Sequence, residues 1–182
     1  MKYKVIYADP PWSYKDKRGG EKGKSHGGAT AHYETMTIED IQRLPVNEIT
    51  DKDSLCFMWV TFPLLKEGIA TLEAWGFKYK TLGFSWIKTN KKDGKPFFGI
   101  GWYTKSNCEV CLIGVKGKPF KNSNKVSSVI ISPLDGHSKK PEEARKRIEE
   151  FCGEVPRLEM FARGGIEGWD VFGNESEGGI SI

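Results

Sequence analysis

The tetrapeptide Asp9-Pro10-Pro11-Trp12 combines a carboxylate, two rigid prolines and a large aromatic ring. It follows an apolar run at residues 5–8, which predicts a strand, so Asp9 is expected at a strand end. Because Pro10 and Pro11 lack backbone N–H groups and keep the chain extended, the Asp9 carboxylate and the carbonyls beside it remain hydrogen-bond acceptors. Such a site suits a partner with N–H donors. The exocyclic amino group of a nucleobase supplies two, and Trp12 offers a flat surface for the base.

Asp-Pro-Pro is also a common turn signal, so the tetrapeptide alone leaves open a simple turn before an exposed tryptophan. Further segments favour chemistry. The tetrapeptide resembles the DPPW catalytic signature of the MT-A70 family of S-adenosylmethionine-dependent N6-adenine methyltransferases. Other segments match that family in its order, and they lie at residues 32–36, 86–90, 109–117, 137–141, 161–163 and 173–175. The resemblance covers residues 5–175, which is nearly the whole chain.

The reaction implied by this resemblance is methyl transfer from S-adenosylmethionine to the N6 amino group of adenine. Asp9 and the Pro10 carbonyl would each accept one N–H of the amine, so that its lone pair is directed at the methyl carbon. The implied catalytic residues are Asp9, Pro10, Pro11 and Trp12. The implied cofactor contacts are Asp9, Lys140, Arg163, Asn174 and Glu175. The implied substrate contacts, with the base stacked on Trp12 and Tyr14, are Trp12, Tyr14, His32, Tyr33, Trp86, Lys88, Glu109 and Lys140.

Three of these assignments have a structural alternative on the sequence alone. Lys140 follows Lys139 and could be one more solvated lysine. Trp86 could be a buried tryptophan at a strand end, and Glu109 could simply begin a strand. The sequence leaves these alternatives open.

Hydrophobic periodicity predicts strands that alternate with helices. The predicted strands are residues 4–8, 54–60, 78–87, 108–115, 127–131, 157–161 and 169–172, and the predicted helices are residues 37–44, 63–75 and 141–152. This pattern predicts an α/β sandwich around a mostly parallel sheet, with ligands at the carboxyl ends of the strands. By resemblance the fold is a Rossmann-like methyltransferase. The catalytic strand comes first and the cofactor strand last, so the motif order is circularly permuted.

Two other kinds of site are less well supported. Gly164, Gly165 and Gly168 suggest a dinucleotide turn, but a nicotinamide site needs spaced glycines that open a helix and an acidic residue about 20 positions later. Cys108 and Cys111 form a CxxC pair inside an apolar run, and a structural zinc ion would need two further ligands nearby. We expect no metal and interpret the cysteines as buried thiols of a reducing cytoplasm.

Length and charge fit a single methyltransferase domain over residues 1–182, with a catalytic half at about residues 1–117 and cofactor-side elements at about residues 137–176. The net charge is +4, from 28 Lys and Arg against 24 Asp and Glu, which is compatible with a polyanionic partner. We expect a cytoplasmic protein without a membrane segment, and a homodimer.

Nucleic acid is the expected substrate, with DNA favoured over RNA because a minimal chain without the extension of the eukaryotic relatives resembles a bacterial or phage modification enzyme. No separate recognition module is evident. Two loops, residues 15–31 and 90–106, would select the sequence, and the second interleaves basic and aromatic residues. A noncatalytic binding subunit is the alternative of another class, and the intact DPPW argues against it.

Overall fold

The computed structural model describes residues 2–13, 35–101, 103–118, 120–135, 139–162, 164–173 and 179–180. Within them, one seven-stranded sheet forms the centre of the molecule. Its strands are β1 (Tyr3–Ala8), β2 (Thr50–Val60), β3 (Lys78–Thr89), β4 (Cys108–Lys116), β5 (Val129–Pro133), β6 (Arg157–Met160) and β7 (Asp170–Phe172). All seven predicted strands are confirmed, with ends that differ by a few residues.

Four α-helices accompany the sheet in the described part of the chain: α1 (Ile38–Arg43), α2 (Val46–Ile49), α3 (Leu65–Ala74) and α4 (Glu142–Cys152). A 3-10 turn at Phe62–Leu64 leads into α3, and Pro63 lies in it, as expected for proline in a first turn. The one-turn helix α2 was not predicted, because four residues carry no measurable periodicity. No described helix is long and apolar enough to cross a membrane.

The strand order is β5-β3-β4-β2-β1-β6-β7. Strand β4 pairs antiparallel with both β2 and β3, while every other pairing is parallel. Six strands therefore run in one direction, which confirms the mostly parallel sheet. Their carboxyl ends share one edge of the sheet with the amino end of β4, and we call this edge the rim.

Apolar cores lie on both faces of the sheet. In β1, Ile6 and Ala8 pack on the face that α1 and α3 cover, whereas Val5 and Tyr7 pack on the face that α4 covers. This alternation follows from the two-residue period of a strand. The result is a three-layer α/β sandwich, so the predicted fold class is confirmed.

Candidate active site

Four charged side chains reach the rim, three from separate strands and one from the segment that precedes α4. Asp9 directly follows β1, Lys88 is the second-last residue of β3, and Glu109 is the second residue of β4. Because β4 is antiparallel to β3, its amino end lies beside the carboxyl end of β3, and Trp86 pairs with Glu109. Lys140 lies between β5 and α4 and completes the group.

These four side chains form a continuous chain of ion pairs. The Lys140 ammonium lies 2.8 Å from Asp9 Oδ2 and 3.2 Å from Glu109 Oε2. The other Glu109 oxygen, Oε1, accepts a hydrogen bond from the Lys88 ammonium. Positive and negative charges therefore alternate along Lys88, Glu109, Lys140 and Asp9, and we call this set the rim charge chain. Each internal member has an opposite charge on both sides.

The rim charge chain is buried unevenly. The exposed fractions of the side chains are 11% for Lys140, 15% for Glu109 and 32% for Asp9. Burial alone would raise the pKa of Glu109, but Lys140 and Lys88 outweigh it and lower that pKa. Burial alone would lower the pKa of Lys140, yet Asp9 and Glu109 raise it. Both groups therefore stay ionised at neutral pH, and Asp9 is the member most open to solvent.

Two buried aromatic residues, Trp59 and Tyr7, lie next to the part of the rim charge chain that contains Lys140. The Lys140 ammonium lies 5.8 Å from the ring centroid of Trp59, within cation–π distance. The Trp59 indole Nε1 donates to the Tyr7 hydroxyl at 2.7 Å, and burial raises the pKa of Tyr7 well above its ordinary value. Tyr7 thus remains a neutral phenol. The sequence did not predict a role for either residue. The only indication is that each carries one polar group, a hydroxyl or an indole N–H, within an otherwise apolar strand.

Comparison with known proteins identifies the family of this chain. The family model described as MT-A70 matches residues 3–175 of the chain. The chain belongs to the MT-A70 family. The resemblance inferred from the DPPW signature is therefore confirmed.

Three relatives illustrate the range of proteins to which this chain is similar. "Type II methyltransferase M.MunI" from Mycoplasma sp is 34% identical over 188 residues, which cover 96% of this chain and 78% of that protein. A "Probable N(6)-adenosine-methyltransferase MT-A70-like" protein from Oryza sativa subsp. japonica is 32% identical over 177 residues, covering 96% of this chain and 23% of that protein. The human "N(6)-adenosine-methyltransferase catalytic subunit METTL3" is 29% identical over 181 residues, which cover 97% of this chain and 29% of that protein. The chain thus spans most of the first relative and under a third of the other two.

Trp12, the last residue of the DPPW signature, is a core residue rather than the open platform that we predicted. Only 7% of it is exposed. Its indole Nε1 donates to the Trp59 carbonyl at 3.1 Å, and its backbone forms a parallel bridge with Met36. A base that stacks on a ring needs an accessible ring face, and this ring is largely covered in the structure, so the stacking role of Trp12 stays a prediction. In this structure Trp12 instead anchors the turn after Asp9.

The two signature prolines turn the chain at the rim. The Pro10 carbonyl accepts the Trp12 N–H at 2.8 Å, and the Pro11 carbonyl accepts the Met36 N–H at 3.0 Å. A carbonyl oxygen has two lone pairs, so the Pro10 oxygen keeps the capacity for a second donor. Its expected role as an acceptor for the target amine stays a prediction.

Trp86 is fully buried, and its Nε1 donates to the Ser132 carbonyl at 3.2 Å. The structural alternative therefore describes Trp86 better than a direct substrate contact. Its ring lies 5.1 Å from the Lys88 ammonium, so Trp86 helps to place one end of the rim charge chain. For Lys140, the alternative of a solvated lysine is wrong, because this side chain is the centre of that chain.

The remaining predicted contacts lie outside the residues that the structure describes: Tyr14, His32, Tyr33, Arg163, Asn174 and Glu175. Two described glycines, Gly164 and Gly165, directly follow Arg163 beyond the end of β6. A Cβ built on Gly164 or Gly165 meets no described atom within 4 Å, so this segment borders open space. Phe161, directly after β6, has a φ of +64°, a rare conformation for a residue with a side chain. Asp9 and Lys140 are the two described residues among the predicted cofactor contacts, and both lie at the rim.

The CxxC pair lies on β4, as predicted. Cys111 is buried, and burial raises the pKa of its thiol, while Cys108 is only half-buried. In the described part of the chain, no three His, Cys, Asp or Glu side chains are arranged to hold a metal ion.

Proposed function

We propose that this chain transfers a methyl group from S-adenosylmethionine to the N6 amino group of adenine in DNA, with Asp9 as the acceptor that orients the amine. Membership of the MT-A70 family confirms the prediction of an N6-adenine methyltransferase. The observation that carries the role of Asp9 is its position in the rim charge chain. Its carboxylate is fixed by Lys140 yet is 32% exposed, so a substrate amine can approach it from solvent.

The adenine amino nitrogen is a poor nucleophile because its lone pair is delocalised into the ring. An ionised carboxylate that accepts one N–H favours the geometry in which the lone pair points away from the ring plane. The Lys140 ammonium lies 2.8 Å from the Asp9 carboxylate, and its positive charge holds that acceptor in place. As the nitrogen forms its new bond to carbon, its acidity rises. Asp9 or a water molecule beside it then receives one proton.

The cofactor supplies a methyl group on a positively charged sulfur, which leaves as a neutral thioether. Asp9 and Lys140 are the described residues that would contact it, and Arg163, Asn174 and Glu175 are predicted to hold the rest. The protein holds the amine and the methyl group in line, so the entropy cost of bringing the two reactants together is met on binding, before the reaction.

Two comparisons support DNA over RNA as the substrate. The relatives from rice and human are named for adenosine, and this chain covers less than a third of each. The chain covers 78% of the type II methyltransferase from Mycoplasma, whose name does not mention adenosine. RNA is the second candidate, since the same site chemistry accepts either nucleic acid.

The test is incubation with labelled S-adenosylmethionine and equal masses of unmethylated duplex DNA, single-stranded DNA and RNA, followed by nucleoside analysis. We expect labelled N6-methyldeoxyadenosine from DNA. Label only in N6-methyladenosine would overturn DNA as the substrate. A folded protein that labels no polymer and shows no cofactor binding by calorimetry would support the noncatalytic binding subunit instead. The homodimer also stays a prediction, which light scattering with and without DNA tests directly.

A further inference from the structure

The described residues between β3 and β4, 90–101 and 103–107, form two successive antiparallel turns at the rim, and together we call them the rim hairpin. Thr89 bridges to Pro96, and Gly99 bridges to Ser106 in antiparallel fashion. The Gly99 N–H donates to the Ser106 carbonyl at 3.0 Å. The hairpin begins two residues after Lys88, so its base is attached directly to the rim charge chain.

The end of the rim hairpin exposes large apolar side chains. The exposed fractions are 67% for Phe98, 99% for Ile100 and 95% for Tyr103. The backbone that carries them is closely built: a Cβ on Gly99 would lie 2.3 Å from the Ser106 carbonyl oxygen. Three large exposed apolar side chains within six residues of a defined backbone favour a binding surface.

The charge of the rim hairpin identifies the kind of partner. It carries four lysines against one aspartate, Asp93. Lys91 pairs with Asp135 at 2.6 Å, whereas Lys92, Lys95 and Lys105 are exposed. Exposed apolar side chains and exposed lysines on one short segment fit a polyanion whose interior is apolar, and a nucleic acid has that combination of phosphates and stacked bases.

A duplex substrate would give this surface a specific task. The N6 amino group of a paired adenine lies within the base pair, so the base must leave the stack to reach Asp9. The gap that remains in the duplex favours the return of the base unless another group fills it. We infer that Ile100 inserts into the base stack of duplex DNA beside the target adenine and fills this gap. This inference rests on the proposed function.

The chemistry of the residue favours insertion over two other uses of the same surface. A platform for single strands relies on aromatic faces, and Ile100, the most exposed of the three side chains, is aliphatic. Aliphatic side chains are typical wedges between base steps. A contact between two copies of this chain would bring the lysines of both hairpins together, and their charges would oppose it.

The test compares Ile100→Ser with Ile131→Ser. Ile131 is an exposed isoleucine on β5, so the control has the same change of side chain outside the hairpin. Methyl transfer is measured on unmethylated plasmid DNA, either native or heat-denatured to single strands. We expect Ile100→Ser to lose about tenfold in rate on native DNA, because the cost of unstacking is then uncompensated, and less than about twofold on single strands. The control should match the wild type on both.

Equal losses on native and denatured DNA would overturn the wedge while leaving methyl transfer to DNA intact. A change of molecular mass in light scattering that accompanies such losses would assign the hairpin to contacts between copies, which also overturns it. Permanganate oxidation of unstacked thymines in bound duplex gives a readout that needs no methyl transfer. If Ile100 inserts into the stack, wild type raises this reactivity and Ile100→Ser does not. The permanganate result therefore tests the insertion even if wild type labels no DNA and the proposed function fails.

Discussion

Lys140 and Asp9 are 131 positions apart in the chain, and the Lys140 ammonium lies 2.8 Å from the Asp9 carboxylate. This contact joins the end of the first strand to the segment that precedes α4. Since Glu109 holds the same ammonium from β4, the position of Asp9 depends on three separate parts of the sheet rim. The orientation of the carboxylate is thus set by the fold as a whole.

Replacing Asp9 with asparagine tests its catalytic role with little change in side-chain volume. The amide is neutral and cannot take up a proton, so we expect transfer to fall by about 100-fold or more. The variant should keep the wild-type fold by circular dichroism, because Asp9 lies at a strand end and is partly exposed. The rate of labelled methyl transfer checks the prediction, and a rate within twofold of wild type would contradict it.

Local sequence predicts the place of Asp9 but not its partners. The apolar run before the DPPW signature is enough to place a carboxylate at a strand end, as observed. The proximity of Lys140 and Glu109 to Asp9 depends on the strand order, which periodicity does not contain. Only the resemblance to a family brought these residues together in advance.

Two further features were beyond the reach of local patterns. An apolar strand looks the same in either direction, so the antiparallel course of β4 could not be read from its sequence. That reversal is what brings Glu109 to the rim beside Lys88. The burial of Trp12 likewise depends on the Trp59 carbonyl, a partner 47 positions away.

The stability of the fold should depend on pH through Glu109. Its pKa is lowered in the folded state by Lys140 and Lys88, despite burial. Its stabilising contribution is therefore complete above its unfolded pKa of about 4.3, and it is lost as pH falls through the folded pKa. We expect Glu109→Gln to cost about 3 kcal/mol of unfolding free energy at pH 7, because it leaves a buried lysine pair without this carboxylate.

Urea unfolding between pH 3 and pH 7 checks this expectation. The difference between wild type and Glu109→Gln should shrink as the pH falls below about 4. Glu73→Gln is the matched control, since Glu73 is an exposed carboxylate on α3. A difference that stays constant down to pH 3 would mean that the loss at Glu109 is not electrostatic.

The lysines of the rim hairpin and Lys140 should differ in the salt dependence of DNA binding. Lys92 and Lys95 are exposed, so replacing both with alanine should weaken binding to all sequences and reduce the salt slope by about one per lost phosphate contact. Lys140 is held by two carboxylates, and Lys140→Ala should impair methyl transfer with little change in slope. Measuring DNA affinity against salt concentration for both variants tests this difference. An unchanged slope in the double variant would mean that Lys92 and Lys95 are an ordinary solvated surface.

Strand β5 lies at an edge of the sheet, where unpaired backbone groups are open to another strand. One carbonyl of β5 and one carbonyl just before the strand are already occupied. Arg147 on α4 donates to the Ser127 carbonyl at 2.7 Å and to the Val129 carbonyl at 2.6 Å, and its Nε pairs with Glu143 at 2.9 Å. The edge also exposes Val129 and Ile131, which would promote sheet extension between molecules if the carbonyls were free.

We therefore expect Arg147→Ala to promote self-association through this edge. The variant uncovers two acceptors beside exposed apolar side chains, which is the pattern that favours strand addition. Light scattering should show a mass that grows with protein concentration, while Lys146→Ala, an exposed neighbour on the same helix, should behave as wild type. Glu143→Gln should give an intermediate effect, because it removes the carboxylate that holds the guanidinium in place. If Arg147→Ala keeps the wild-type mass at all concentrations, the arginine does not protect this edge.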